Sequence, residues 1–173
     1  DHVIDTTDLS ANALQQEIRQ QFALEEVETT TITITSFGFS RGLPNNIDLL
    51  FDVRFLANPF WEADLKLMTG LDQPVADYIA KDPAYAEAME KFEDMLKFLL
   101  PKYQEAGKAY VNIGIGCTGG RHRSVHVAEA LSKNLHDAGF SSTVSHRNLA
   151  SRPMEALESM QNTASNAGGN KGN

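Results

Sequence analysis

Isoleucine and threonine alternate from Thr30 to Ser36, the period-two pattern of a half-buried strand. Ile47–Arg54 predicts a second strand, apolar enough to be central, Tyr110–Ile115 a third and Ser141–Ser145 a fourth. Between them the period changes to that of a helix. Tyr85, Met89, Phe92, Leu96 and Leu99 line one face of a helix from Pro83 to Glu105, with Pro83 at its first turn and Pro101 expected to kink its end. That stripe reads as core, not as a cofactor contact. A shorter helix runs from Asp72 or Gln73 to about Ala80, and another from Arg123 to Ala138, closed by Gly139. Phe37–Pro44, Asn58–Trp61 and Met68–Asp72 read as loops and turns. Strands separated by helices predict an α/β domain, a small sheet of about four strands flanked by helices.

The ends differ from this middle. Val3–Thr7 reads as the end of a strand, and Asp8 or Ser10 as the cap of a helix to about Gln21. Residues 1–27 are therefore expected to be the tail of a preceding domain, 28–153 the domain proper, and 154–173 a short helix and disordered tail. The helix is read over Pro153–Gln161 and the tail from 162. No apolar run approaches the roughly eighteen residues that span a bilayer. Asp1–Asp5 lacks the chemistry of a signal peptide. The single cysteine excludes an intrachain disulfide and a cysteine-based zinc site. A cytoplasmic setting is expected.

Charge singles out one region. The chain carries −8 overall, which argues against indiscriminate nucleic-acid binding. Yet Cys117–Arg152 holds five Lys/Arg against two acids, a net +3, leaving −11 for the rest. His122, His126, His136 and His146, four of the five histidines, fall there too.

That region contains Gly114-Ile-Gly-Cys-Thr-Gly-Gly-Arg-His-Arg-Ser124, between the third strand and the following helix. Glycines allow a tight turn with N–H groups pointing inward, and the helix N-terminus favours an anion. Cys117, Thr118, Gly119, Gly120, Arg121, His122, Arg123 and Ser124 are the candidate phosphate-binding residues. Arg121 and Arg123 add charge, and a guanidinium matches phosphate oxygens in pairs. The Gly-x-Gly-x-x-Gly spacing fits a dinucleotide fingerprint, but Asp137 ends the same helix instead of a next strand. A Walker A loop fails, because no Lys-Ser/Thr follows the second glycine. Cys117-x5-Arg123-Ser124 has the spacing of a cysteine-phosphatase loop, which needs a thiolate and a general acid. Asp52 and Asp72 are candidates for that acid. Phosphate binding without covalent catalysis is preferred, with a cysteine-dependent phosphatase as the alternative.

Five blocks in order, Ser36–Pro44, Phe51–Pro59, Met68–Asp72, Gly114–Val125 and His146-Arg147, resemble the C-terminal domain of the RapZ family. These are RNase adapter proteins, also called YvcJ-type nucleotide-binding proteins, and the resemblance spans about residues 30–150. It implies an ATP- and GTP-binding P-loop domain before this one, a likeness that residues 1–25 carry. It implies no cofactor in the present domain. In enterobacterial members the domain senses glucosamine-6-phosphate and binds a small RNA. The resemblance places Asp52, Arg54 and Asn58 at the sugar. It makes the domain a regulatory sensor and adapter, not itself an enzyme, with an RNA or protein partner and a homo-oligomeric full-length protein. Two positions depart from the enterobacterial pattern, Phe60 for His and Arg121 for Lys, and the tail after Arg152 carries a single Lys171 instead of a basic run.

Other residues are weighed on their chemistry. Asp52 and Arg54 share a strand face and are expected to face the loop or each other. His146-Arg147, following the last strand, and Arg152 are candidate RNA contacts. His122 and His126 stand at i, i+4 spacing without an acidic partner pattern, so no metal is expected.

Overall fold

The computed structural model describes residues 30–151. The strand and helix expected before residue 28, the helix and tail expected from Pro153, and Arg152 lie outside the described residues. Seven principal elements follow one another: β1 (Thr31–Gly38), β2 (Leu49–Asp52), α1 (Gln73–Ala80), α2 (Pro83–Glu105), β3 (Tyr110–Cys117), α3 (Arg123–Asp137) and β4 (Ser142–His146). Short 3-10 turns occupy Phe39–Arg41 and Pro59–Trp61. The four strands form one parallel sheet in the order β2-β3-β1-β4. The expected α/β class and four-stranded sheet are borne out.

Alternation divides the sheet into two faces. Ile32, Ile34, Val111, Ile113, Ile115, Cys117 and Phe51 join Leu96, Leu100, Val127 and Leu131 in one core cluster beneath the helices. The other face carries Phe37, Gly114 and Gly116, and there the β1–β2 connection crosses. A Cβ on Gly116 would lie 2.5 Å from Phe39, and one on Gly114 would lie 3.2 Å from Ile47. The two glycines thus leave room for a chain that must pass β3 to reach β2. The opposite directions of the β1–β2 and β3–β4 connections put them on opposite faces, as right-handed crossovers require.

Several boundaries and positions differ from the sequence reading. β2 is a four-residue edge strand instead of a central one. Its apolar residues signal burial against α2, where Phe92 meets Phe51 at 4.3 Å between ring centroids. β3 extends to Cys117, so Gly116 and Cys117 belong to the strand instead of the loop. β4 includes His146. Helix α2 runs unbroken through Pro101 to Glu105, and Leu100, not Leu99, completes its buried face. No helix among the described residues is long and apolar enough to cross a membrane.

Candidate anion-binding site

β1 and β3 are neighbours whose chains leave in opposite directions, and such a switch point at the C-terminal edge of a parallel sheet is where ligands bind. The 118–122 loop sits there. Gly120 takes a positive φ of 74° and packs its Cα against the Gly38 backbone. A Cβ on Gly38 would meet Gly119 C at 2.5 Å, so the β1 end and the loop fit only as bare backbones. Gly119 differs: a Cβ there would point into open space. The backbone N–H groups of Gly119, Arg121 and His122 have no acceptor among the described residues. They lie at the N-terminus of the 15-residue α3, where unsatisfied donors and the helix dipole attract negative charge.

The side chains of the loop serve mainly as its scaffold. Cys117 is 3% exposed and belongs to the core cluster. Its Sγ accepts from the Gly120 N–H at 3.2 Å and lies 3.1 Å from Ser124 Oγ. Arg123, also buried, donates to the carbonyls of Arg54 at 2.7 Å and Leu56 at 3.0 Å and to Thr118 Oγ1 at 3.2 Å. Arg121 donates to the carbonyls of Leu67, Met68, Leu149 and Ser151. Its guanidinium therefore ties together the turn before α1 and the segment after β4.

His122 is 7% exposed, and its Nε2 has no hydrogen-bond partner among the described residues. Burial lowers its pKa from the ordinary histidine value, and the neighbouring Arg121 charge lowers it further. His126, one turn on, stacks on Tyr85 at 5.3 Å, and burial lowers its pKa as well. Its Nε2 is also unpartnered. No cluster of three or more metal-ligating side chains is present among the described residues.

Asp52 and Arg54 do share a face, the one opposite Cys117, and they pair with each other at 2.6 Å. Arg54 also stacks on Phe39, 4.3 Å from the ring centroid. Asn58 caps the 3-10 turn, its side chain accepting from the Phe60 N–H. The hydrogen bond from Arg54 holds the Asp52 carboxyl below the usual carboxylate range, and bonds from Thr69 do the same for Asp72. A general acid needs the opposite shift. His146 is clamped between Ser36 Oγ at 2.8 Å and Glu129 at 2.9 Å, while Arg147 lies exposed and reaches the Gly42 carbonyl.

The sequence reading missed Asn148, whose side-chain oxygen accepts from the Gly38 N–H at 2.9 Å. It also missed Ser36 and Gly70, the latter donating its N–H to the Arg121 carbonyl. Asn148 and Gly38 are 110 positions apart, a pairing that no local pattern announces.

The five blocks singled out in the sequence meet at this one edge of the sheet. Ser36–Pro44 backs the loop, Phe51–Pro59 supplies the carbonyls that hold Arg123, and Met68–Asp72 packs on Arg121 and His122. His146-Arg147 closes onto Ser36. Comparison with known proteins covers the same blocks. Residues 30–150 match the family model of the RapZ C-terminal domain. A nucleotide-binding protein of Novosphingobium aromaticivorans is 58% identical over 161 residues, covering 93% of this chain and 53% of that protein. A nucleotide-binding protein of Sphingopyxis alaskensis is 50% identical over 169 residues, covering 98% and 54%. One of Zymomonas mobilis is 52% identical over 162 residues, covering 94% and 49%. The chain spans about half the length of these curated relatives. This chain, through residues 30–150, belongs to the RapZ C-terminal domain family.

Proposed function

We propose that this domain is a regulatory sensor that holds a phosphorylated metabolite in the Cys117–Ser124 loop. The observation that carries this reading is the set of N–H groups of Gly119, Arg121 and His122, without an acceptor among the described residues, at the N-terminus of α3. They supply donors and positive potential without a reacting group. Arg123 donates to Thr118 Oγ1 within the loop, and the sugar of an amino-sugar phosphate such as glucosamine-6-phosphate would be met by Asp52, Arg54 and Asn58. The relatives are named nucleotide-binding proteins and are about twice as long. In this reading ATP or GTP is bound by a part of the protein outside this chain. Occupancy of the loop is the signal passed to an RNA or protein partner.

Calorimetry with glucosamine-6-phosphate, inorganic phosphate and glucosamine tests it. Heat with the two phosphates and none with glucosamine is expected. Gly119→Ala is the most informative variant, because its Cβ meets no protein atom. It is expected to fold normally and to lose at least tenfold in affinity. No heat with any phosphate would sink the reading.

The phosphatase alternative keeps one favourable observation, the contacts of Cys117 Sγ with Gly120 and Ser124. Its test is release of phosphate from an aryl phosphate by wild type and Cys117→Ser. Equal background rates would remove it.

A further inference from the structure

His122 stands out among the loop residues. It lies between two arginines, occupies the N-cap position of α3 without a side-chain capping bond, is buried, and has an Nε2 with no hydrogen-bond partner among the described residues. A neutral imidazole accounts for this geometry. Charging the ring in the empty loop would bury a cation beside Arg121 and at the positive end of a helix dipole. The surroundings offset that charge only in part. On the 65–72 turn, the carbonyls of Leu65, Lys66 and Met68 face the ring. The Asp72 carboxylate on the same turn already accepts from Thr69 N at 2.7 Å and Oγ1 at 2.9 Å. Lys66, the remaining ionisable group facing from that turn, extends over the Phe60 ring. On α3 the charged neighbour is Arg123. His126 faces Asp77 of α1 and Tyr85 of α2 instead.

An anion bound by the loop N–H groups reverses this balance. His122 carries one of those N–H groups itself, so the anion would bind at the residue whose ring it charges, and a nearby negative charge favours the protonated form. We propose that anion binding in this loop is coupled to proton uptake by His122, so that the site is a joint sensor of phosphate and pH. The proposal rests on the phosphate-site reading above. The sign follows from linkage. Burial favours the neutral His122 ring in the empty loop, and in the filled loop the ring binds its proton at a higher pH than in the empty one. Affinity for an anion that does not itself titrate therefore rises as pH falls, by up to about tenfold per pH unit for one coupled proton. The rise stops once the empty state also protonates.

Sulfate is the suitable probe, since a phosphate monoester has its own proton equilibrium near neutrality. Titrations of sulfate near pH 6.5 in two buffers of different ionisation heat give the number of protons taken up. Uptake of a fraction of a proton or more is expected for wild type and His126→Gln, and none for His122→Gln. In wild type, nitrogen-15 spectra of the imidazoles should show the His122 pKa rising when sulfate is added, a measurement that needs no variant to fold. Sulfate binding without proton uptake, or an unmoved His122 pKa at saturating sulfate, would overturn the coupling and leave the phosphate site standing. Absence of binding by sulfate and phosphate alike would overturn both.

Discussion

Two adjacent glycines in the loop have opposite physical reasons. Gly120 is required by the fold, with a positive φ and the Gly38 backbone against it. Gly120→Ala should therefore cost at least about 1–2 kcal/mol from the left-handed conformation alone, read as a lower urea midpoint. Gly119 has open space where its side chain would be, so Gly119→Ala should leave that midpoint within about 0.5 kcal/mol. The histidines give a second expectation at this scale. His122 and His126 have folded-state pKa values lowered by burial, so the unfolded chain binds protons first as pH falls. The stability in question is present above the ordinary histidine value of about 6.5 and is lost below it, down to the folded pKa. Each group contributes a slope of up to about 1.4 kcal/mol per pH unit in that window. Thermal melts from pH 7.5 to 5.5 should show a falling midpoint, with a shallower fall in His126→Gln.

At the scale of elements, the sheet's pattern of apolar residues was readable and its order was not. The alternation in Thr30–Ser36 follows from burial of one face, and the helix from Pro83 follows from its stripe. Whether a strand is central depends on neighbours far along the chain. The apolar run around Phe51 therefore suggested a central strand, although α2 and not a further strand covers it. Gly114 and Gly116 looked like part of a nucleotide fingerprint. They are instead strand positions beneath the β1–β2 crossover. Gly116→Val should push into Phe39 and the wholly buried Phe37, costing near the upper end of the ~1–3 kcal/mol typical of overpacking. Chemical denaturation checks this, and a change below about 0.5 kcal/mol would contradict the tight crossover.

For the whole molecule, the charge asymmetry and the topology point to the same place. Arg121 and Arg123, which open the basic stretch, lie at the edge of the sheet where β1 and β3 part. An anion bound only by the folded loop must stabilise the fold, by about 2.7 kcal/mol at one hundred times its Kd. Sulfate should therefore raise the melting midpoint of wild type well beyond any effect of equal ionic strength in sodium chloride. In Gly119→Ala the two salts should act alike.

The sequence by itself determined the α/β class, the α3 helix start, the glycine loop and the five blocks that carry the family. These are local facts: period, turn chemistry and spacing are written in adjacent residues. Only the tertiary structure decided what each side chain does. Arg121 and Arg123 read alike along the chain. Folding sends one to carbonyls on two distant segments and the other to the carbonyls that follow β2 and to Thr118 in the loop. Asp52 and Arg54 proved to be each other's partners, and Cys117 faces the core. Hydrogen-bond partners, burial and the open space beside Gly119 are set by residues tens of positions away, and only packing brings those together.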